Sequence, residues 1–248
     1  LELQKIFTEP IYTLNLVREI LKKNEFLNTD EIITKGNMYK IGYKIRSSYI
    51  LRKDYDSVED YFIELSKAVD FIPDNNILES STYNASIKKV EKNYDIISIS
   101  DKEFITYKKL HELGITKEMI NKFCTDVFEG FESVNYFTIY NVKKMIDTSW
   151  IDDNGFDDIF YECLIETIEN VKLLRINNQK LYSFISNIEV EDIINEFMID
   201  ESIYVDELIE SIKEKYGIEV SLDKLTNSDK FYSRELNKLY LNKECYYK

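Results

Sequence analysis

Apolar residues in IYTLNLVREILKKNE (11–25) fall at Leu14, Val17, Ile20 and Leu21 with charges opposite, which predicts an amphipathic helix. In FLNTDEIITKG, Thr29 ahead of Asp30 and Glu31 predicts a second helix start, and Gly36 its end. NMYKIGYKIRSS places Met38, Ile41 and Ile45 on one face of a third helix, after which YILRKDY alternates as a strand does. SVEDYFIELSKAVD opens with Ser57 as N-cap and Asp60 three residues on, close to a capping box. The next stretch, IPDNNILESSTYNAS (72–86), clusters Pro, Asn and Ser and predicts a linker.

Beyond it, NYDIISIS reads as a strand and FITYKKLHELG as a helix closed by Gly114. ITKEMINKFCTDVFEGF reads as a helix capped by Thr116, with Met119, Ile120, Phe123 and Val127 apolar. YFTI predicts a short strand, YNVKKMI a helix, GFDDIFYECLIETIE a longer helix, and VKLLRI–NNQ–KLYSFI a β-hairpin. The order then recurs: VEDIINEFMI, SIYV, DELIESIKEKYG with Gly217 as C-cap, SLDKLTN, and a closing hairpin from FYSREL and KLYLNKECYY. ESVNYFTIYNVKKM (132–145) aligns with ESIYVDELIESI (201–212) at an offset of about 69 residues, the period of one small module.

Helix, short strand, helix, helix and hairpin in that order resembles the winged-helix family, a helix-turn-helix variant. The resemblance covers 117–186 and 190–247, and 11–56 in part, where no clean second wing strand is evident. The arrangement is also similar to repeated segments of large uncharacterised bacterial proteins. It implies an α+β fold, mostly helical, of tandem winged-helix-like modules with small β-hairpin wings. The expected domains are an N-terminal helical or winged-helix-like module at 1–72 and a linker with a strand–helix connection at 73–116. Winged-helix-like modules follow at 117–187 and 188–248.

Charge sharpens this picture at one place. The chain of 248 residues has a formal charge of −14, yet KGNMYKIGYKIRSSYILRK (35–53) holds six basic residues and no acidic one. With −2 in residues 1–34 and +6 in 35–53, residues 54–248 carry −18. The acidic bulk repels phosphate, so any attraction to nucleic acid has to be local. Winged-helix modules that bind DNA lay the third helix in the major groove and set the wing on the backbone. What the resemblance implies for the first module is a reading helix NMYKIGYKIRSS, with Asn37, Lys40, Lys44 and Arg46 outward. Lys35, Arg52 and Lys53 complete the candidate nucleic-acid contacts. Arg, Lys and Asn are the side chains that phosphates and base edges require. The competing reading is a solvated basic face neutralised by acidic neighbours. The equivalent helix of the second module carries Asp157, Asp158, Glu162 and Glu166 and would be repelled by phosphate; SLDKLTNSDK in the third is ambiguous.

Other chemistry is scarce. IDDNGFDD (151–158) would put Trp150 and Tyr161 at the two ends of a calcium loop, where Asp and Glu are needed. One histidine, His111, cannot build a zinc site. Cys124, Cys163 and Cys245 form no CxxC, and no phosphate-loop, dinucleotide or hydrolase motif occurs. No catalytic residue, cofactor or metal is expected. The aromatics Tyr136, Phe137, Tyr140, Phe156, Phe160 and Tyr161 read as module cores, and Tyr232, Tyr240, Tyr246 and Tyr247 as hairpin faces. No run approaches 18 apolar residues, so no membrane span is expected. The first residues show neither an initiator Met nor a signal-peptide plan, and the chain reads as a segment of a longer, cytoplasmic protein. The first function expected is a non-enzymatic nucleic-acid-associated protein that contacts DNA through residues 35–53. Its acidic modules would bind protein partners or self-associate. The alternative is a protein-interaction scaffold or adaptor.

Overall fold

Thr13 does two jobs at the start of the fold. It ends a strand, β1 (Ile11–Thr13), and its hydroxyl accepts the Leu16 N–H at 3.0 Å to open α2 (Leu14–Lys23). The segment expected to be helical from residue 11 is therefore a strand running directly into a helix. A short α1 (Glu2–Ile6) precedes them. The computed structural model describes residues 2–73, 81–101, 103–185, 187–226 and 228–247. It divides into two units, Leu1–Lys117 and Glu118–Lys248.

In the first unit, α3 (Thr29–Ile32) and α4 (Lys35–Lys40) follow, then β2 (Tyr43–Ile45) and β3 (Tyr49–Arg52). Two expected caps shift here. Asn28 holds the N-cap of α3, with Thr29 buried as its first residue, and Gly36 lies inside α4. The expected third helix over 37–48 is also shorter: it stops at Lys40, and Gly42 at φ +101° reverses the chain into β2. Only a residue without a Cβ adopts that φ freely. A second hairpin strand, which the sequence hid, is thus present: β3 lies between β1 and β2, with Ile11 opposite Leu51 and Leu51 opposite Lys44.

A second round comes at once: α5 (Val58–Ala68), β4 (Phe71–Pro73), α6 (Ser81–Lys92), β5 (Ile96–Ser100) and β6 (Glu103–Thr106). Ser57 caps α5 by accepting the Asp60 N–H at 3.0 Å, while the Asp60 carboxylate accepts from Asp56 rather than from Ser57. Again the last strand is central, in the order β4–β6–β5, and Pro73 sits on an edge strand where a missing N–H is tolerated. The stretch expected as linker and connection, 73–116, therefore holds α6, a sheet and α7 (Tyr107–Glu112); residues 74–80 of the expected linker lie outside the described residues. Ile11, Tyr49 and Leu51 of the first sheet share a core with Val58, Phe62, Ile72, Ile96 and Phe104. Burying each such side chain fully stabilises by about 1.5–3 kcal/mol.

The second unit repeats the plan twice. After α8 (Lys117–Phe131), the expected strand YFTI reduces to a single bridge, Phe137 to Tyr182. α9 (Ile139–Met145), α10 (Ser149–Asp152) and α11 (Asp158–Thr167) lead to the hairpin of β7 (Lys172–Ile176) and β8 (Gln179–Ser183). Asn177 turns that hairpin at φ +54°, a conformation asparagine tolerates. The last round is α12 (Val190–Phe197), β9 (Ser202–Tyr204), α13 (Val205–Tyr216), α14 (Leu222–Thr226), β10 (Phe231–Ser233) and β11 (Lys238–Tyr240). The expected continuation of the final strand is instead a short helix, α15 (Lys243–Tyr246), capped by Asn242. Here too the third strand is central.

Side chains bind these two rounds together. Thr138 donates to the Tyr216 carbonyl at 2.6 Å, Asn141 to Lys215 at 2.7 Å, and Asn177 to Glu219 at 2.7 Å. Gly217, the left-handed C-cap of α13 at φ +68°, faces Tyr140 so closely that a Cβ would sit 2.8 Å from its Cγ. Among the described residues the order helix, strand or bridge, helix, strand, strand thus occurs four times in an α+β fold of small antiparallel sheets. No described helix is long and apolar enough to cross a membrane.

Candidate nucleic-acid interface

The basic island folds into one helix and one hairpin, and the two treat their charges differently. In α4, Thr34 accepts the Asn37 N–H at 3.2 Å and Met38 is buried in the core. Lys35, Tyr39 and Lys40 stay on the surface, with Lys35 and Tyr39 one turn apart on the same face. Tyr39 is 60% exposed, and the Lys53 ammonium stands 6.0 Å from the centre of its ring. Among the described residues Lys35, Lys40 and Lys53 form no ion pair. Asn37 is less available, because its amide donates to the Glu31 carbonyl at 3.4 Å.

The hairpin cations are already answered. Lys44, on β2 rather than on the expected helix, reaches Asp56 at 2.9 Å and the Tyr55 carbonyl at 3.2 Å. Arg46, at the hairpin turn, donates to the Asp56 carbonyl at 2.9 Å. The Nε of Arg52 lies 2.8 Å from the Asp54 carboxylate but out of line with its N–H, so this contact is an ion pair without a hydrogen bond. Its guanidinium also covers the Tyr55 ring at 5.3 Å. The hydrogen bond from Lys44 holds the Asp56 carboxyl below the usual carboxylate range. Beneath the hairpin, Tyr43 donates to the Glu9 carbonyl at 2.7 Å, and burial pushes its phenol up to about 12.

Of the seven candidate residues, then, Lys35, Lys40 and Lys53 are exposed and outside any ion pair among the described residues, and Lys53 stands over Tyr39. Lys44, Arg46 and Arg52 form a second group tied to residues 54–56, and Asn37 is held by its own backbone neighbourhood. Asp54, Tyr55 and Asp56 were not among the expected residues. Their signal was the sequence DYD immediately after the last lysine of the island.

The other candidates resolve into structural contacts. In 151–158, Asp152 accepts from Tyr161 at 2.7 Å and Thr148 at 2.9 Å, and Asp157 caps α11 by accepting the Ile159 N–H at 2.9 Å. These hydrogen bonds, Tyr161 first, hold the Asp152 carboxyl low. His111 stands beside the ring of Tyr107 on α7. Among the described residues no group of three His, Cys, Asp or Glu is arranged to hold a metal ion.

No protein family and no curated protein matches the chain. Among solved structures, a bacterial selenocysteine-specific elongation factor EF-Sec shows a slight likeness. It is 15% identical over 66% of this chain and 25% of that one, with a TM-score of 0.26. The chain thus spans about a quarter of that structure, and the likeness is too slight to carry an inference about fold or function.

Proposed function

We propose that the chain is a non-enzymatic, nucleic-acid-associated protein whose four rounds of helix, strand, helix and hairpin are winged-helix-like modules. DNA would be contacted by the first. The observation that carries this reading is that Lys35, Lys40 and Lys53 are exposed and unpaired among the described residues of a chain of charge −14, with Lys53 over the exposed ring of Tyr39. Free ammonium groups displace counterions from a phosphate backbone, and a neighbouring ring offers a surface to a sugar or base. A helix of six residues is about 9 Å long, too short to follow the major groove far. Phosphate contact therefore dominates the proposed binding, and sequence selectivity is low.

A second reading rests on the other half of the island. Because Lys44, Arg46 and Arg52 are answered by residues 54–56, this face also suits an adaptor that exchanges those acids for an acidic protein partner.

Fluorescence anisotropy of labelled duplex DNA over a range of salt tests the first reading. Three or four neutralised phosphates give a log–log slope of about −3. Changing Lys35, Lys40 and Lys53 together to Glu should abolish binding. Absence of binding by the wild type at low salt would eliminate DNA as the partner and leave the adaptor.

A further inference from the structure

The sheet of the last round has two faces of different character. Leu239 of β11 is fully buried, and Ile203 and Tyr232 pack inward beside it. Residues one position away point to the opposite face. There Phe231 pairs with Tyr240, and Lys238 pairs with Tyr204. α15 adds Tyr246, whose ring lies 5.0 Å from Phe231 and 5.3 Å from Tyr240, and Tyr247, 5.2 Å from Tyr246.

Mutual packing accounts for Phe231, Tyr240 and Tyr246. It does not account for Tyr204 and Tyr247, which flank them at 53% and 72% exposure. Cations accompany the rings: the Lys238 ammonium is 4.7 Å from the Tyr204 ring centre and 5.8 Å from that of Tyr240, and Lys243 is 6.0 Å from Tyr247. Among the described residues neither Lys238 nor Lys243 forms an ion pair, and the same holds for Arg234 at the hairpin turn. In a chain with 46 acidic side chains, unpaired cations spread over open rings are complementary to an anion that also carries flat apolar surfaces.

We propose that this outer face of the β9–β11–β10 sheet, with α15 beside it, is a stacking site for single-stranded nucleic acid. Bases would lie on Tyr204 and on the Tyr240–Tyr246–Tyr247 cluster, while Lys238 and Lys243 would meet the phosphates between them. Diagonal same-face positions on neighbouring strands are roughly 7–8 Å apart, so Tyr204 and Tyr240 can hold two separate bases. Rings on a sheet surface reach unstacked bases and not those inside a duplex. The site is therefore distinct in preference from the lysine cluster of the first round.

The test measures anisotropy of labelled oligo-dT, oligo-U and a duplex against the full chain and four variants. Tyr204→Ala with Tyr247→Ala should weaken oligo-dT and oligo-U binding at least about ten-fold and leave the duplex unchanged. Tyr204→Phe with Tyr247→Phe should restore single-strand binding, because stacking needs the ring and not the hydroxyl. Lys238→Gln with Lys243→Gln should weaken single-strand binding and flatten its salt dependence. Lys35→Glu with Lys40→Glu and Lys53→Glu should abolish duplex binding and leave most of the single-strand affinity. Both Tyr positions are open to solvent, so these variants are expected to fold. The proposal is overturned if the double Ala variant binds single strands as the wild type does, or if the lysine variant of the first round alone removes all single-strand binding. It is equally overturned if the wild type binds neither oligomer at low salt.

Discussion

The first and third rounds use the same order of elements and arrange their charges in opposite ways. In the first, hairpin cations are met by Asp54 and Asp56 from the chain just beyond β3, on the open surface; the Asp56 side chain is 95% exposed. In the third, Lys180 of β8 lies between Glu162 at 2.7 Å and Glu166, both from α11, and its side chain is only 10% exposed. An ion group shielded from water resists exchange, because removing one member strands the others. Exposed pairs contribute roughly 0–1 kcal/mol and can trade one anion for another. The third round therefore spends its charge on holding hairpin to helix, and the first keeps its charge available.

The largest way to break this contrast is Lys180→Met. It leaves two carboxylates facing each other in a sheltered place and should destabilise the protein by about 3 kcal/mol in chemical denaturation. Adding Glu162→Gln and Glu166→Gln should recover most of that loss. If Lys180→Met alone is neutral, the third round is no more locked than the first. Next comes Gly217→Ala, which combines a left-handed backbone with a Cβ pressed on Tyr140 and should lose about 2–3 kcal/mol. Gly155→Ala, at φ +73° with open space around it, carries the backbone strain alone and should lose about 1 kcal/mol. Thermal unfolding of the two variants side by side separates clash from strain.

Smaller effects belong to the first round. Replacing Lys35, Lys40 and Lys53 by Glu should leave stability within about 0.5 kcal/mol while removing duplex binding, since all three residues are exposed. Asp54→Asn with Asp56→Asn should raise duplex affinity a few-fold at low salt by releasing Lys44 and Arg52, with no detectable change in melting temperature. An unchanged affinity would show that these cations do not compete for phosphate. pH provides the same release. Asp56 has a lowered folded value, so its pairing is intact above the ordinary carboxylate range and is lost as pH falls through that lowered value. Duplex affinity should rise there.

Much of this was readable beforehand, for identifiable reasons. The hairpin at 172–183 announced itself by two apolar runs around Asn177, and Gly217 marked its helix end without ambiguity. The hairpin of the first round stayed hidden because KIGYKI satisfies a helical and an alternating pattern together; Gly42 decided between them. The sheet at 71–106 was obscured by a three-residue strand ending in proline and by the Ser- and Asn-rich start of α6. The island was legible as composition. Which of its cations would be neutralised was not, because that depends on where β3 delivers Asp54 and Asp56. On the last sheet, the pattern puts Tyr232 and Tyr240 on hairpin faces, but alternation alone does not say which face is inward; Leu239 and the core beneath it do.

Each sheet closes on its own stretch of chain. Among the described residues the most distant strand partners in sequence are Phe137 and Tyr182, 45 positions apart. A chain emerging from a ribosome therefore never has to wait for a remote strand before a ladder can form. Loop-closure entropy stays small at every step, and synthesis order and folding order can coincide. The ties from Thr138 and Asn141 to residues 215–216 come last, and nascent chains halted before residue 215 should show protease-resistant first and second rounds ahead of a resistant third.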